Sequence, residues 1–290
     1  MDIGIRTPPA AGQMGFAAFA QWAAEVGFGA IDVGRVDAEN KKILDDCGLK
    51  LGTVDLPQPW NALMDADEAK QAAGFEVYKR ELEAAAALGA KVMFAVLLPP
   101  DSTQPRGKSF EILKGTLPRL MELMESLDLH LALEGWPGGG PHYPALGCTP
   151  ETLRAVFGAV PSANLGICFD PSHVVRLGID YKRFLAEFGP RVKHCHGKDT
   201  ELNEEERYLC GNLDSSFGGK YICGDRAWRY TIPGEGVVCW QYVMNRLSDF
   251  GYGGIMSVEL EDHHYWQSVE LQQLGMTRAL GHLKQYAGRV

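Results

Sequence analysis

Four short stretches of the chain alternate between apolar and polar residues, and each of them ends in an ionisable residue. They are LHLALEG (129–135), NLGICFD (164–170), RVKHCHGKD (191–199) and IMSVELE (255–261). Successive side chains of a strand point to opposite faces, so the pattern predicts four strands, each with an ionisable residue at its inward-facing C-terminal end. The bulky apolar residues on the opposite face are expected to meet covering helices. The four inward ends are Glu134, Asp170, His196 and Glu259.

Strand-like and helix-like segments alternate along the whole chain. Further strands are predicted at residues 2–7, 30–34, 49–57 and 91–98. Helices are predicted near residues 16–26, 37–47, 67–88, 109–127, 181–188, 238–250 and 266–286, and one more begins at Thr149 as its N-cap. Eight alternations predict one closed (β/α)8 TIM barrel, a single α/β domain over residues 1–290. Such barrels carry their chemistry at the C-terminal ends of the strands, so the four ionisable residues are expected to meet at one rim.

The composition is that of an ordinary globular protein and narrows the range of partners. Of 290 residues, 46% are hydrophobic and 22% are charged, and the net charge of −9 without a basic run argues against a nucleic-acid surface. The N-terminus lacks the pattern of a signal peptide, and no apolar run approaches the roughly 18 residues of a membrane span. Seven cysteines without a C-x-x-C pair favour reduced thiols in a cytoplasmic protein. A homo-oligomer is left open.

Three carboxylates grouped around one imidazole predict a bound cation. Burying an unpaired charge costs several kcal/mol, so the cluster would not ionise together without one. Oxygen-rich ligation with one imidazole suits Mn²⁺, Mg²⁺ or Co²⁺ and leaves Zn²⁺ open. The alternative is that each residue separately caps a helix or forms a surface ion pair. Four residues in matching phase on successive strands argue against this alternative.

Three long connections are expected to leave the same rim as the four ionisable residues. The first, PQPWNALMD (57–65), carries Trp60, which either covers a ligand or packs on the rim, and packing on the rim is favoured. The second follows Glu134 and is rich in glycine and proline, but it lacks the spacing of a phosphate-binding loop. The third, at about residues 200–237, is far longer than a usual connection and is expected to be a lid or binding element.

Five motifs give the chain a resemblance to a known family. In order, they are LALEGW, CFDPSH, KHCHGKD, WRYTIPGEGVVCW and SVELED. Over nearly its whole length the sequence resembles the sugar phosphate isomerase/epimerase family, the xylose isomerase-like barrels that include ketose 3-epimerases and inosose dehydratases. The resemblance implies that one divalent ion is held by Glu134, Asp170, His196 and Glu259. It also implies that Glu134 and Glu259 act as base and acid, with Mn²⁺ as the expected ion.

The same resemblance points to residues that contact substrate. It assigns His173 of DPSH, and Arg229 before the P-G-x-G turn, to substrate oxygens. Taken alone, His173 would be an ordinary loop histidine, and Arg229 a surface cation lying over Trp228. Lys198 and Asp199, with the long insert that follows, depart from the epimerases toward relatives associated with sugar dehydrogenases and modified sugars. Lys198 is then a further acid near the substrate or an ion-pair partner of Asp199, and the ion pair is favoured.

The predicted site supports proton removal beside a carbonyl. A divalent ion that binds a carbonyl and its neighbouring hydroxyl stabilises an enediolate as a Lewis acid, which favours an epimerase or isomerase acting on a ketose. The alternative is a lyase or dehydratase that performs β-elimination on a keto-sugar, a 3-keto-glycoside or an inosose. A DNA-repair nuclease is disfavoured because it needs more histidines and a basic rim, and a non-catalytic binding subunit would not need four ligands. Without a cluster of Arg and Lys, an unphosphorylated sugar is favoured.

Overall fold

Eight parallel strands close a barrel, which confirms the predicted fold. The computed structural model describes residues 1–140, 142–213, 215–217 and 219–287. The barrel strands are β1 (Asp2–Arg6), β2 (Ala30–Val33), β3 (Lys50–Asp55), β4 (Val92–Val96), β5 (His130–Glu134), β6 (Leu165–Phe169), β7 (Val192–Gly197) and β10 (Ile255–Val258), and a separate pair is β8 (Asp199–Leu202) and β9 (Trp228–Thr231). Around the ring the order is β1-β10-β7-β6-β5-β4-β3-β2. The strands that lead to the four ionisable residues are therefore neighbours.

The helices follow the predicted alternation with the strands. They are α1 (Pro9–Met14), α2 (Phe16–Val26), α3 (Ala38–Asp46), α4 (Glu68–Ala87), α5 (Arg106–Ser126), α6 (Pro150–Ala159), α7 (Pro171–Arg176), α8 (Tyr181–Phe188), α9 (Glu204–Cys210), α10 (Trp240–Asp249) and α11 (Val269–Ala287). The side chains of Asp37, Asp67 and Thr149 accept backbone hydrogen bonds at the starts of α3, α4 and α6, which fixes where these helices begin. Within the described ranges, no helix is both long and apolar enough to cross a membrane.

Two short helices differ from the expectation drawn from sequence. Pro9 ends the first strand as predicted but also starts α1, and Pro171 starts α7 directly after Asp170. Proline suits the first helical position because the N–H that it lacks would have no partner within the helix. His173 is therefore a helical residue rather than a loop residue.

Apolar side chains divide into two layers, as the alternation predicts. Leu131 and Leu133 belong to the large core between the barrel and its helices. Inside the barrel, Phe94, Ala132 and Cys168 form a small separate cluster. Bulky residues thus point outward along β5, and smaller ones leave space inside the barrel for the ionisable ends.

The long segment after β7 is a hairpin with an insertion. β8 pairs with β9 along its whole length in antiparallel fashion, and α9 lies between the two strands in the chain. The buried carboxylate of Asp199 accepts hydrogen bonds from the backbone N–H of Val238 at 3.0 Å and from the indole N–H of Trp240 at 2.9 Å. These bonds tie the base of the hairpin to α10. The predicted lid role of residues 200–237 stays a prediction.

Trp60 stands in the loop that was predicted after β3, at the start of a short 3-10 helix, Trp60–Met64. Its side chain lies outside the part of the chain that the structure describes. The two interpretations of Trp60, covering a ligand or packing on the rim, therefore stay open as predictions.

Candidate active site

The four predicted ionisable residues meet at the C-terminal rim of the barrel. His196 Nδ1 lies 2.6 Å from Glu134 Oε1 and 3.2 Å from Glu259 Oε2. The same nitrogen lies 4.0 Å from Asp170 Oδ2. One potential ligand atom of each residue lies within 4.8 Å of all the others. The side chains that the alternation grouped are therefore close in space, and their role as metal ligands stays a prediction.

This donor set fits a divalent cation. Three carboxylates and one imidazole nitrogen make an oxygen-rich set of the kind that Mn²⁺ or Mg²⁺ prefers. Asp170 Oδ1 accepts the Ser172 N–H at 2.8 Å and so caps α7. The buried Oδ2 of Asp170 accepts no hydrogen bond from the described residues, and the ammonium of Lys198 lies 3.1 Å from it. A buried carboxylate oxygen is costly unless a cation faces it, so this oxygen suits a divalent ion that would share it with the ammonium or take its place.

Electrostatic coupling sets the protonation of the cluster. Burial and Glu259 act to raise the pKa of Glu134, but the neighbouring histidines outweigh them and hold it below its usual range. Burial also acts to raise the pKa of Glu259, whereas Lys198 and His196 hold it well below its usual range. Burial lowers the pKa of His196, but the neighbouring acidic side chains raise it well above 6.5. In the metal-free protein these shifts favour ionised glutamates and a protonated imidazole near neutral pH.

Lys198 lies inside the cluster, and the ion pair predicted with Asp199 is wrong. The ammonium lies 2.5 Å from Glu259 Oε2, 2.7 Å from Glu261 Oε2 and 3.1 Å from Asp170 Oδ2, and the side chain is only 1% exposed. Adjacent residues of an extended segment point in opposite directions, so the Asp199 carboxylate faces α10 instead. Burial lowers the pKa of Lys198, but the three carboxylates raise it well above its usual value. The ammonium is therefore a permanent cation of the site.

His173 also reaches the cluster, from α7. Its Nε2 lies 3.4 Å from Asp170 Oδ2 and 3.6 Å from Glu134 Oε2. Its Nδ1 shares a 2.7 Å hydrogen bond with the hydroxyl of Tyr230, and Arg176 donates to the same oxygen at 3.1 Å. These bonds hold the imidazole of His173 beside the predicted ligands. Its contact with substrate stays a prediction that this position supports.

The side chain of Arg229 does not contact the cluster. Its guanidinium pairs with Asp262 at 2.9 Å and with Glu201 at 2.5 Å. Tyr230 is the next residue of β9 and contacts His173, so the Arg229 side chain leaves the opposite face of the strand. The predicted contact of Arg229 with substrate gains no support from this position.

A different arginine, Arg6 at the end of β1, contacts the cluster. Its Nε lies 3.2 Å from Glu259 Oε1, and its terminal nitrogens donate to both carboxylate oxygens of Asp55, at 2.9 and 3.1 Å. The guanidinium lies over the ring of Phe94, 4.4 Å from its centroid. The Phe94 ring is in turn 5.3 Å from the imidazole of His196. Arg6 and Phe94 therefore form one wall of the site.

Sequence reasoning missed Arg6 and Asp32, although the same alternation marks both as inward residues of strands. In DIGIRT the arginine shares a face with the glycine, opposite the two isoleucines. Asp32 lies in β2, where its Oδ2 is 2.8 Å from His194 Nε2 and its Oδ1 accepts the Thr53 N–H at 2.9 Å. Burial acts to raise the pKa of Asp32, but His194 outweighs it and lowers the pKa. Asp32 is also 3.8 Å from His196 Nε2, so it borders the cluster from inside the barrel.

Sequence comparison identifies the family. The family described as xylose isomerase-like TIM barrel matches residues 10–286, and the chain belongs to it. An inosose dehydratase of Clostridium perfringens (strain 13 / Type A) is 30% identical over 113 residues, which are 39% of this chain and 36% of that protein. The uncharacterized protein YfiH of Bacillus subtilis (strain 168) is 33% identical over 117 residues, again 39% of this chain and 36% of the relative. The match thus spans little more than a third of the length of these curated relatives.

Solved structures of the same fold cover nearly the whole chain. D-psicose 3-epimerase in the presence of D-fructose has a TM-score of 0.72 at 18% identity, over 99% of this chain and 100% of that one. For 3-keto-D-glucoside 4-epimerase from E. coli the TM-score is 0.65 at 18% identity, over 98% of this chain and 99% of that one. For the IOLI protein with a bound zinc atom it is 0.69 at 17% identity, over 99% of each chain. At these identities the likeness shows the fold alone.

Proposed function

We propose that the protein is a divalent-metal-dependent epimerase or isomerase that acts on a ketose or keto-sugar. The observation that carries the proposal is that two carboxylates, Glu134 and Glu259, flank one nitrogen of His196 at 2.6 and 3.2 Å. β5 and β10 stand on different sides of β7 in the ring, so the two carboxylates approach the centre from different directions. Removing a proton from one face of a carbon and returning one to the other face needs such a pair.

The ion that we propose is Mn²⁺, with Mg²⁺, Co²⁺ and Zn²⁺ as alternatives. The residues that would hold it are Glu134, Asp170, His196 and Glu259. When bound, a divalent ion supplies Lewis-acid stabilisation of the negative charge that develops on the enediolate oxygens. The oxygen-rich donor set, whose ligand atoms all lie within 4.8 Å of one another, supports the assignment. The zinc atom of the IOLI protein is the reason that zinc stays among the alternatives.

The carboxylates of this chain move the proton. One of Glu134 and Glu259 accepts the proton from the carbon beside the carbonyl, and the electron pair of the broken C–H bond enters the enediolate. The other glutamate enters this step as the carboxylic acid, after taking a proton from solvent, and delivers that proton to the opposite face of the same carbon, which inverts the centre. The first glutamate then returns the abstracted proton to solvent. Lys198 and His173 border the same space, and we propose that they hold substrate oxygens while the barrel wall excludes water.

Elimination is the second candidate, and the match to an inosose dehydratase favours it. The first step is the same proton removal. When a leaving group is attached to the carbon next to the one deprotonated, the electron pair expels that group instead of recapturing a proton. The product is then an unsaturated keto-sugar, and the enzyme is a carbon–oxygen lyase.

One set of samples in D₂O separates the two reactions. The Mn²⁺-loaded protein is incubated with ketoses, inososes and 3-keto-glycosides, and the products are analysed by mass spectrometry and NMR. Epimerisation gives solvent deuterium at the inverted carbon, whereas elimination gives an unsaturated or rehydrated sugar. Glu134→Gln and Glu259→Gln should each abolish the reaction, and Glu76→Gln on the exposed face of α4 should leave it unchanged. Failure of every substrate to exchange carbon-bound hydrogen would refute the proposal.

A further inference from the structure

A groove with a volume of about 660 Å³ opens beside the metal-ligand cluster, over β2, β3 and β4. Arg6 and Phe94 line its inner end. The same two residues contact the cluster, since Arg6 Nε lies 3.2 Å from Glu259 Oε1 and the Phe94 ring lies 5.3 Å from that of His196. The groove therefore adjoins the candidate active site, with Arg6 and Phe94 shared between the two.

Beyond Arg6 the walls of the groove are mainly apolar. They include Val36, Leu56, Val77, Ala84, Leu98 and Trp136. Charged side chains stand at the rim, where Arg35 and Arg80 lie 3.2 and 3.1 Å from carboxylate oxygens of Glu81. Both arginines are mostly exposed, at 76% and 69%. The groove thus combines an apolar interior with a rim of paired charges.

A free sugar would use only the inner end of this space. A ketose carries a hydroxyl on nearly every carbon, and each buried hydroxyl needs a hydrogen-bond partner. The cluster offers such partners in Lys198, His173 and Arg6, whereas the apolar walls do not. Pockets of about 300–1,000 Å³ accommodate drug-sized ligands, so the groove has room for a group beyond the sugar ring.

We propose that the groove is a subsite for an apolar substituent attached to the sugar, so that the substrate is a keto-glycoside with an apolar aglycone. This inference rests on the proposed function, because it assigns the sugar ring to the cluster. The guanidiniums of Arg6, Arg35 and Arg80 each already have a carboxylate partner, which argues against a phosphate or carboxylate substituent. An apolar aglycone bound in the groove would bury apolar surface of both the ligand and the protein, which favours binding.

The test compares two ligands that differ only in the aglycone. Methyl and phenyl 3-keto-β-D-glucopyranoside are titrated into the Mn²⁺-loaded protein by calorimetry. Burying a phenyl ring should tighten binding about 10- to 100-fold relative to the methyl glycoside. Ala84→Phe, which fills the groove from α4, should remove this preference and leave the affinity for the methyl glycoside unchanged. The control is Ala73→Phe, the same substitution at another exposed position of α4 that does not line the groove, and it should keep the preference.

Equal affinities for the two glycosides in the wild-type protein would overturn the subsite, and so would an Ala84→Phe variant that keeps the preference. Thermal melts of both variants check that each is folded. Hydrogen exchange in D₂O, measured on the methyl glycoside, reports on the proposed function separately. Hydrogen exchange together with equal affinities for the phenyl and methyl glycosides would refute the subsite and leave the proposed function intact. A phenyl preference that depends on Ala84, without hydrogen exchange on either ligand, supports the subsite and excludes these two glycosides as substrates of the proposed reaction.

Discussion

Replacing Lys198 with methionine should tighten metal binding while it removes catalysis. The ammonium lies 2.5 Å from Glu259 Oε2 and 3.1 Å from Asp170 Oδ2, and these are two of the oxygens assigned to the ion. Methionine keeps most of the length of the side chain and removes its charge. Lys198→Met therefore frees two ligand oxygens and removes a cation that repels the metal.

The change in the Kd for Mn²⁺ is the balance between lost charge repulsion and proton uptake by the freed carboxylates. Two unit charges about 4 Å apart interact by about 4 kcal/mol at an effective dielectric constant of about 20, and a divalent ion doubles the repulsion. Much of this gain is offset because the freed carboxylates take up protons in the metal-free variant, and the metal must displace them. A net gain of about 1–3 kcal/mol lowers the Kd for Mn²⁺ about 5- to 150-fold. Exchange activity should fall by about 10²- to 10⁴-fold, because Glu259 loses the group that positions it.

Calorimetric titration with Mn²⁺ near neutral pH measures this change. The matched control is Lys193→Met in β7, whose side chain points to the face opposite that of His194 and His196, and it should keep the wild-type Kd. Without metal, Lys198→Met should be less stable by about 3–5 kcal/mol, because a buried partner of several carboxylates is gone, and Mn²⁺ should restore the melting temperature. Unchanged or weaker Mn²⁺ binding by the folded variant would refute the reasoning.

Protonation of the cluster should limit the stability of the metal-free protein at both ends of the pH scale. The pKa values of Glu134 and Glu259 are lowered, so their stabilisation is present above 4.5 and lost as pH falls through the lowered values. The pKa of His196 is raised, so its stabilisation is complete below pH 6.5 and is lost as pH rises through the raised value. The melting temperature, measured as a function of pH, should therefore fall at both low and high pH. Saturating substrate should protect residues 200–237 from proteolysis, and unchanged cleavage there would exclude a lid. Tyr230→Phe removes the hydrogen bond to His173 and should slow hydrogen exchange about tenfold. The Kd for Mn²⁺ should stay unchanged, and a changed Kd would contradict a role of Tyr230 confined to positioning.

The sequence predicted the convergence of four side chains because one simple rule connects them. Alternation along each strand selects an inward end, and closure of a parallel barrel brings those ends to one rim. The rule needs no knowledge of loops or side-chain conformations, so it applied to Glu134, Asp170, His196 and Glu259. The same rule would have selected Arg6 and Asp32 had it been applied to the first two strands.

The contacts that were predicted wrongly or missed depend on three-dimensional detail. Lys198 and Asp199 are adjacent in the chain, which suggested an ion pair, but adjacent residues of an extended segment diverge. Arg229 and Tyr230 also diverge, since only one of two successive residues of β9 can face the cluster, and the contact of Arg229 with substrate stays a prediction. The third carboxylate around Lys198, that of Glu261, follows β10 in an irregular segment, where the period-two rule no longer applies.

The central claim is that one divalent ion is held by the four strand-end residues, and metal analysis tests it most directly. The protein is purified without chelators, loaded with Mn²⁺ and freed of excess ion, and bound metal is measured by mass spectrometry alongside circular dichroism. The wild-type chain should hold about one ion, and Asp170→Asn and His196→Gln should each lose most of it while the barrel stays folded. Full metal content in both folded variants would contradict the account.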